Sequence, residues 1–292
     1  MTTKALTGLL RLASNYHAPV RKAMQRAVNL EVVDVSAALG RHLGERSADG
    51  FRVFLDGYYS RNMKNQLQKQ AYPIFQSFLK DVRKEASEFF TPIKVDVGGK
   101  TVMKLLGTED LNDLERWMRG YLNGFTNRYC RSSEGQLLSL VDKFNKSPDE
   151  MLSQIRERLG EWKDKRAEKV ASDEIIRSEN GMARQTWEKQ GVKRFRWITN
   201  PTGHHCPFCS AMNGRVIKSS ENFFWGGETL YVKKAEGGVV AASVSVAGKM
   251  GAKWFFGKEN KGGKGWSGLK MFGDKAHPPI HKGCVCRIIP AK

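Results

Sequence analysis

Apolar residues in the first half of the chain recur at three- and four-residue steps. Over residues 71–90 the series Ile74, Phe75, Phe78, Leu79, Val82, Ala86 and Phe89 marks one face of a helix, the pattern by which a helix lays an apolar stripe against a core. The period then changes. IKVDVGGKTVMKLL, residues 93–106, sets Gly98-Gly99 between two alternating β-branched runs and predicts a hairpin, because paired glycines accept the positive φ of tight turns. Helical spacing resumes after Thr108, with Leu111, Leu114, Trp117, Met118 and Leu122 on one side. Residues 1–146 therefore read as a mainly helical N-terminal region with a short hairpin near 93–106.

A boundary follows at SPDE, residues 147–150. Ser147 is a capping residue, Pro148 suits the first helical position, and Glu150 completes a capping box. The helix starting there is expected to bury Leu152, Ile155, Leu159 and Trp162 and to leave Arg156, Arg158, Lys163, Lys165 and Arg166 in water. Helical pattern continues, after a possible break, through IIRSENGMARQTWEKQG, with Gly191 as its stop. FRWITN then turns strand-like, and Asn200-Pro201-Thr202-Gly203 is a turn. The fold class expected is α+β: the helical region, then a small α+β module over residues 147–292 closed by a Cys/His cluster.

Composition narrows the function. A chain of 292 residues with 40% hydrophobic residues has enough apolar surface for one large core or two ordinary ones. Its formal charge is +19, from 49 Lys and Arg against 30 Asp and Glu, an excess that attracts polyanions such as nucleic acid or an acidic protein surface. The first thirty residues contain no acid, yet Arg11 splits their only apolar run and no A-x-A-like site follows, so the N-terminus reads as that of a mature protein. The uncharged run of residues 237–248 is too short to cross a bilayer.

Four of the five cysteines form two tight pairs, Cys206 with Cys209 in HHCPFC and Cys284 with Cys286 in HPPIHKGCVC. C-x-x-C is the common local chelate for zinc, since its turn points two sulfurs at one ion. The distal half supplies His281, Cys284 and Cys286, with His277 in reserve. The expected set is Cys206, Cys209, Cys284 and Cys286, or His281 in place of one of the last two, and C-x-C is the less usual chelate of the two pairs. A thioredoxin-type exchanger lacks its βαβ pattern here, and a c-type haem would need His at position 210, where Ser210 stands. Disulfides or plain buried thiols are the remaining readings, and Cys130 is an ordinary buried thiol.

Between the halves, residues 219–276 form a Gly- and Lys-rich insert of hairpins and loops. GKENKGGKGWSG does not satisfy the phosphate-loop pattern. Lys253, Lys258, Lys261 and Lys264 interleaved with Trp254 and Trp266 do suit phosphate neutralisation and stacking on exposed bases, and are the candidate nucleic-acid-binding residues.

Taken together, the helix carrying Arg177-Ser178-Glu179, the Trp-containing strand, C-x-x-C, the Asn213-Gly214 turn and the closing PPIHKGCVCR of residues 278–287 resemble the phage head morphogenesis proteins related to the F protein of phage Mu. The similarity covers residues 171–290. It implies a minor capsid protein of the virion, made in the cytoplasm of a bacterial host and resident in the phage head beside the portal. The implied partners are the portal protein and other capsid proteins, with genomic DNA added by the charge. Its implied role is assembly, packaging or delivery of the genome, without enzymatic turnover. The rival from another class is an HNH-like metal-dependent nuclease, for which His204, His205, Asn213 and His281 offer the right residue types. Against it, the His pair abuts C-x-x-C and no second C-x-x-C exists. A zinc-stabilised nucleic-acid-binding protein of the host is the third reading.

Overall fold

The computed structural model describes residues 2–44, 48–88, 94–97, 100–103, 109–144, 147–199, 207–223, 229–233, 239–245, 253–255, 277–279 and 283–291. Among these the chain is mostly helical. It divides into two compact units, one of Ser14–Lys80 and Pro92–Glu174, the other of Met1–Ala13, Asp81–Thr91 and Ile175–Lys292. Both take residues from either side of position 147.

Helices α1 (Thr2–Gly44), α2 (Ala48–Gly57), α3 (Met63–Glu88), α4 (Glu109–Lys143) and α5 (Pro148–Lys189) account for most of the described chain. The stripe expected on α3 is present: Phe75, Phe78, Leu79, Val82 and Ala86 are buried, while Phe89 lies outside the described residues. Strands β1 (Lys94–Val97) and β2 (Lys100–Met103) pair antiparallel with Val97 opposite Lys100, the register of the expected hairpin. Helix α5 begins at Pro148, as the capping signal predicts, and the Met151 N–H donates to the Ser147 carbonyl at 2.9 Å. It then runs to Lys189 without the break its sequence allowed. Its buried stripe is Met151, Ile155, Leu159 and Trp162, so Met151 takes the place assigned to Leu152.

Arg166 corrects the solvated face expected of α5, for it is buried in the unit formed by Ser14–Lys80 and Pro92–Glu174. Its guanidinium carbon lies 4.0 Å from the Trp162 ring centre and 4.5 Å from that of Tyr129, and its Nη2 donates to Ser133 Oγ at 2.6 Å. Beside it the buried Glu31 carboxylate accepts the hydroxyls of Tyr59 at 2.8 Å and Tyr129 at 2.5 Å. Burial works against the Arg166 charge, but Tyr129, Glu31 and Tyr59 outweigh it and move the pKa upward. Burial first, then Glu31, pushes both phenols well above their ordinary range. A single π-helical turn, Tyr58–Asn62, separates α2 from α3, and its extra residue lets the consecutive Tyr58 and Tyr59 both face inward.

In the second unit α5 ends in a Schellman motif. Gly191 has φ of +85°, the Val192 N–H donates to the Trp187 carbonyl at 2.9 Å, and the Gly191 N–H to that of Glu188 at 3.0 Å. The chain emerges as β3 (Arg194–Ile198), where Phe195 and Trp197 are buried and their neighbours Arg194 and Arg196 are exposed. β3 is the centre of a three-stranded antiparallel sheet, flanked by β4 (Val216–Lys218) and β8 (Arg287–Pro290), with Phe195 opposite Ile217 and Trp197 opposite Ile288. Trp187 anchors the end of α5: fully buried, it donates from Nε1 to the Ala86 carbonyl at 3.0 Å. Within the insert, β5 (Thr229–Lys233), β6 (Val239–Ser245) and β7 (Lys253–Phe255) form a further antiparallel sheet in that order, in line with the hairpins expected there.

Candidate metal centre

The short helix α6 (Pro207–Met212) follows β3 and carries Cys209. After it the chain turns at Asn213-Gly214, where Gly214 has φ of +83° and donates to the Trp197 carbonyl at 2.8 Å. The Asn213 side-chain oxygen accepts the Thr199 N–H at 3.1 Å, which ties the turn back to the end of β3. The other half of the centre enters from the C-terminal side. Gly283, at φ of +74°, precedes residues 284–286, which lead directly into β8. Residues i and i+2 of an extended segment share a face, and accordingly Cys284 and Cys286 are buried while Val285 is 38% exposed. The C-x-C spacing is therefore a good chelate here, contrary to the weakness read into it, because both sulfurs point the same way.

The two halves meet. Cys209 Sγ lies 3.7 Å from Cys284 Sγ, and the sulfurs of Cys209, Cys284 and Cys286 all fall within 4.8 Å of one another. None of the three is in a disulfide, and all three are buried. A tetrahedral ion with metal–sulfur bonds of about 2.3 Å separates its ligand sulfurs by about 3.7–3.8 Å, so the spacing suits three ligands of one ion. A disulfide, at about 2.05 Å, is far shorter.

The Cys286 thiol is a poor acid in this setting. A hydrogen bond from Cys209 favours the Cys286 thiolate, but the hydrogen bond to Cys284, burial and the Cys284 charge prevail and raise its pKa. A cation is what would deprotonate the cluster, since only thiolates ligate.

Helix α5 holds the C-x-C segment in place through two adjacent side chains. The Asn180 amide donates to the Cys286 carbonyl at 3.2 Å and accepts the Ile288 N–H at 2.9 Å, bridging the backbone on both sides of Arg287. Arg287 donates from Nε to Glu179 Oε1 at 2.5 Å, and from Nη1 to the carbonyls of Val285 at 2.8 Å and Cys286 at 3.2 Å. Both partners of this ion pair are buried, at 4% and 0% side-chain exposure. Burial raises the Glu179 pKa, and Arg287 opposes that rise. Glu179 Oε2 has no hydrogen-bond partner, so Arg287 is the compensation this carboxylate has among the described residues.

Of the expected ligands, Cys209, Cys284 and Cys286 come together; Cys206 and His281 lie outside the described residues, as do His204, His205 and the turn at residues 200–203. His277 is half-buried with Nδ1 2.7 Å from the Pro278 carbonyl oxygen, and is not part of the cysteine cluster. Lys253 and Trp254 stand on β7, opposite Ser245 and Val244 of β6; Lys258, Lys261, Lys264 and Trp266 lie outside the described residues. Reading the residues missed Asn180 as a support of the cluster. The signal available for Asn180 was its place directly after Arg177-Ser178-Glu179. No described helix is long and apolar enough to cross a membrane. A scan against protein-family models, a search of curated proteins and a search of solved structures each found no match to this chain.

Proposed function

We propose that the chain is a minor virion protein of the phage head, associated with the portal, and that its cysteine cluster holds one structural zinc ion. The observation that carries this reading is that the residues of the resemblance gather into one small module. Glu179 pairs with Arg287, Trp197 accepts from Gly214, Asn213 holds Thr199, and Cys209 meets Cys284. Scattered motif residues that hydrogen-bond to one another act as one folding unit, which supports treating their order and spacing as a single signature. Zinc suits the donor set because thiolate-rich closed sites are its structural preference. Cys209, Cys284 and Cys286 would be three ligands, and Cys206 or His281 the fourth. A closed site of that kind stabilises the fold and leaves no open position for substrate. The direct test is mass spectrometry of purified DNA-filled particles from the host carrying this gene. The chain should copurify in fixed stoichiometry with the portal protein, and its absence from particles, with the protein free in host cells, would overturn the virion reading.

The charge of +19 supports contact with packaged DNA through the lysines and tryptophans of the insert. Replacing Lys258, Lys261 and Lys264 with alanine should lower the log-log salt slope of DNA binding by roughly two to three units if each neutralises a phosphate. An unchanged slope would remove the insert from the DNA surface. Turnover is not part of the proposal. Asn213 has a turn to hold, and plasmid incubated with the protein and Mg²⁺, Mn²⁺ or Zn²⁺ should stay intact. Cleavage lost in His204→Ala or His205→Ala protein would instead establish the nuclease.

A further inference from the structure

We infer that the groove where α1 meets α3 docks an acidic amphipathic helix of a partner protein, with one apolar side chain of that helix seated in the groove and its carboxylates on Lys22 and Arg26. The groove is a shallow, open depression of about 420 Å³ within the unit of Ser14–Lys80 and Pro92–Glu174, lined by Ala18, Pro19, Lys22, Ala23, Arg26 and Ile74. The dent exists because small side chains, Ala18, Pro19 and Ala23, occupy the α1 wall where long ones would fill it. Ile74 of α3 supplies a half-buried apolar floor.

Charge decides the occupant. Lys22 and Arg26 stand one helical turn apart on the same face of α1, both exposed. Two other cations of α1 have acidic partners: Arg21 lies 3.6 Å from Glu168, and Arg11 lies 3.8 Å from Glu85. No acid precedes Glu31 in the sequence, and none lines the groove. An apolar floor between two uncompensated cations is complementary to a helix bearing Leu or Phe flanked by Glu or Asp, the helix-in-groove mode of recognition. DNA would engage the cations but has no apolar side chain to bury in the floor, so the groove favours protein. This inference does not depend on the virion reading.

The test uses the full chain, labelled at Ile and Ala methyls and titrated in NMR with a synthetic Leu/Glu amphipathic helix. The controls are the Leu/Gln counterpart, a DNA duplex and phosphatidylglycerol vesicles. The Leu/Glu helix should shift the Ala18, Ala23 and Ile74 methyls saturably. Lys22→Glu with Arg26→Glu should weaken binding about tenfold or more, since like charges then face each other. Ala18→Trp, at an exposed position, should fill the groove and abolish binding while leaving distant methyls in place. The inference fails if the Leu/Glu helix leaves these methyls unmoved, if the Leu/Gln helix binds as well, if duplex or vesicles produce the same shifts, or if the charge reversals leave affinity unchanged.

Discussion

Replacing Cys284 with serine is expected to lower the melting temperature of the zinc-loaded protein by about 10 °C or more. Cys284 Sγ lies 3.7 Å from Cys209 Sγ, and it sits two residues before Cys286 on the same buried face. Its loss would open a site whose proposed zinc would do the work of a core: β3 and β8 bury Phe195, Trp197, Ile288 and Ile289, a small apolar set for a three-stranded sheet. Structural zinc sites in small modules supply on the order of 10 kcal/mol, and even partial loss amounts to several kcal/mol, each worth roughly 2–4 °C at this chain size. The control is wild-type protein treated with a zinc chelator, which should melt where the variant does. Calorimetry in which the variant, the chelated protein and the wild type all melt together would show that the three thiols pack as ordinary buried groups.

The second large effect is expected from Arg287→Met. Methionine matches the length of the arginine stem but leaves Glu179 buried with no counter-charge and releases the carbonyls of Val285 and Cys286. Removing one partner of a buried ion pair costs about 3–5 kcal/mol. The cost should depend on pH in a defined direction. Burial already raises the folded-state pKa of Glu179, and losing Arg287 removes the main opposing influence. A carboxyl whose folded pKa lies above its unfolded value disfavours the fold at high pH, and the deficit shrinks as pH falls through the folded pKa. The gap in melting temperature between variant and wild type should therefore be widest near pH 8 and narrow toward pH 5. Adding Glu179→Leu should recover much of the loss, because exchanging both partners for apolar groups is often close to neutral. A double variant no more stable than Arg287→Met alone would place the importance of Arg287 in its backbone contacts instead of its charge.

Local rules explain what could be read from the residues in advance. Gly191 after a helical run stands where a Schellman motif needs a left-handed residue, and the alternation of Phe195 and Trp197 marks a strand with one buried face. The cysteine halves were readable as halves because each is an incomplete chelate, and completing one requires the other. Arg166 was not readable: its burial depends on Glu31, Tyr59 and Tyr129, which reach it from α1, the π-helical turn and α4. A charged residue flanked by Lys165 and Glu168 looks solvated until those distant partners are known. The same limit applies to Glu179 and Asn180, whose roles exist only once β8 is laid beside them. The prolines Pro19 and Pro73 stand inside α1 and α3. Each removes a backbone donor and would end an isolated helix, whereas here the flanking buried residues Val20, Ala23, Ala71 and Phe75 hold both turns in a packed unit.

The cysteine centre is tested most directly by X-ray absorption at the zinc edge on the purified full chain, with metal content measured on the same sample. One zinc per chain is expected, its first shell dominated by sulfur at about 2.3 Å and containing at least three sulfurs. Metal-free protein whose Cys209, Cys284 and Cys286 all react with a thiol reagent after unfolding, and which gains no stability from added zinc, would contradict a metal centre at this site.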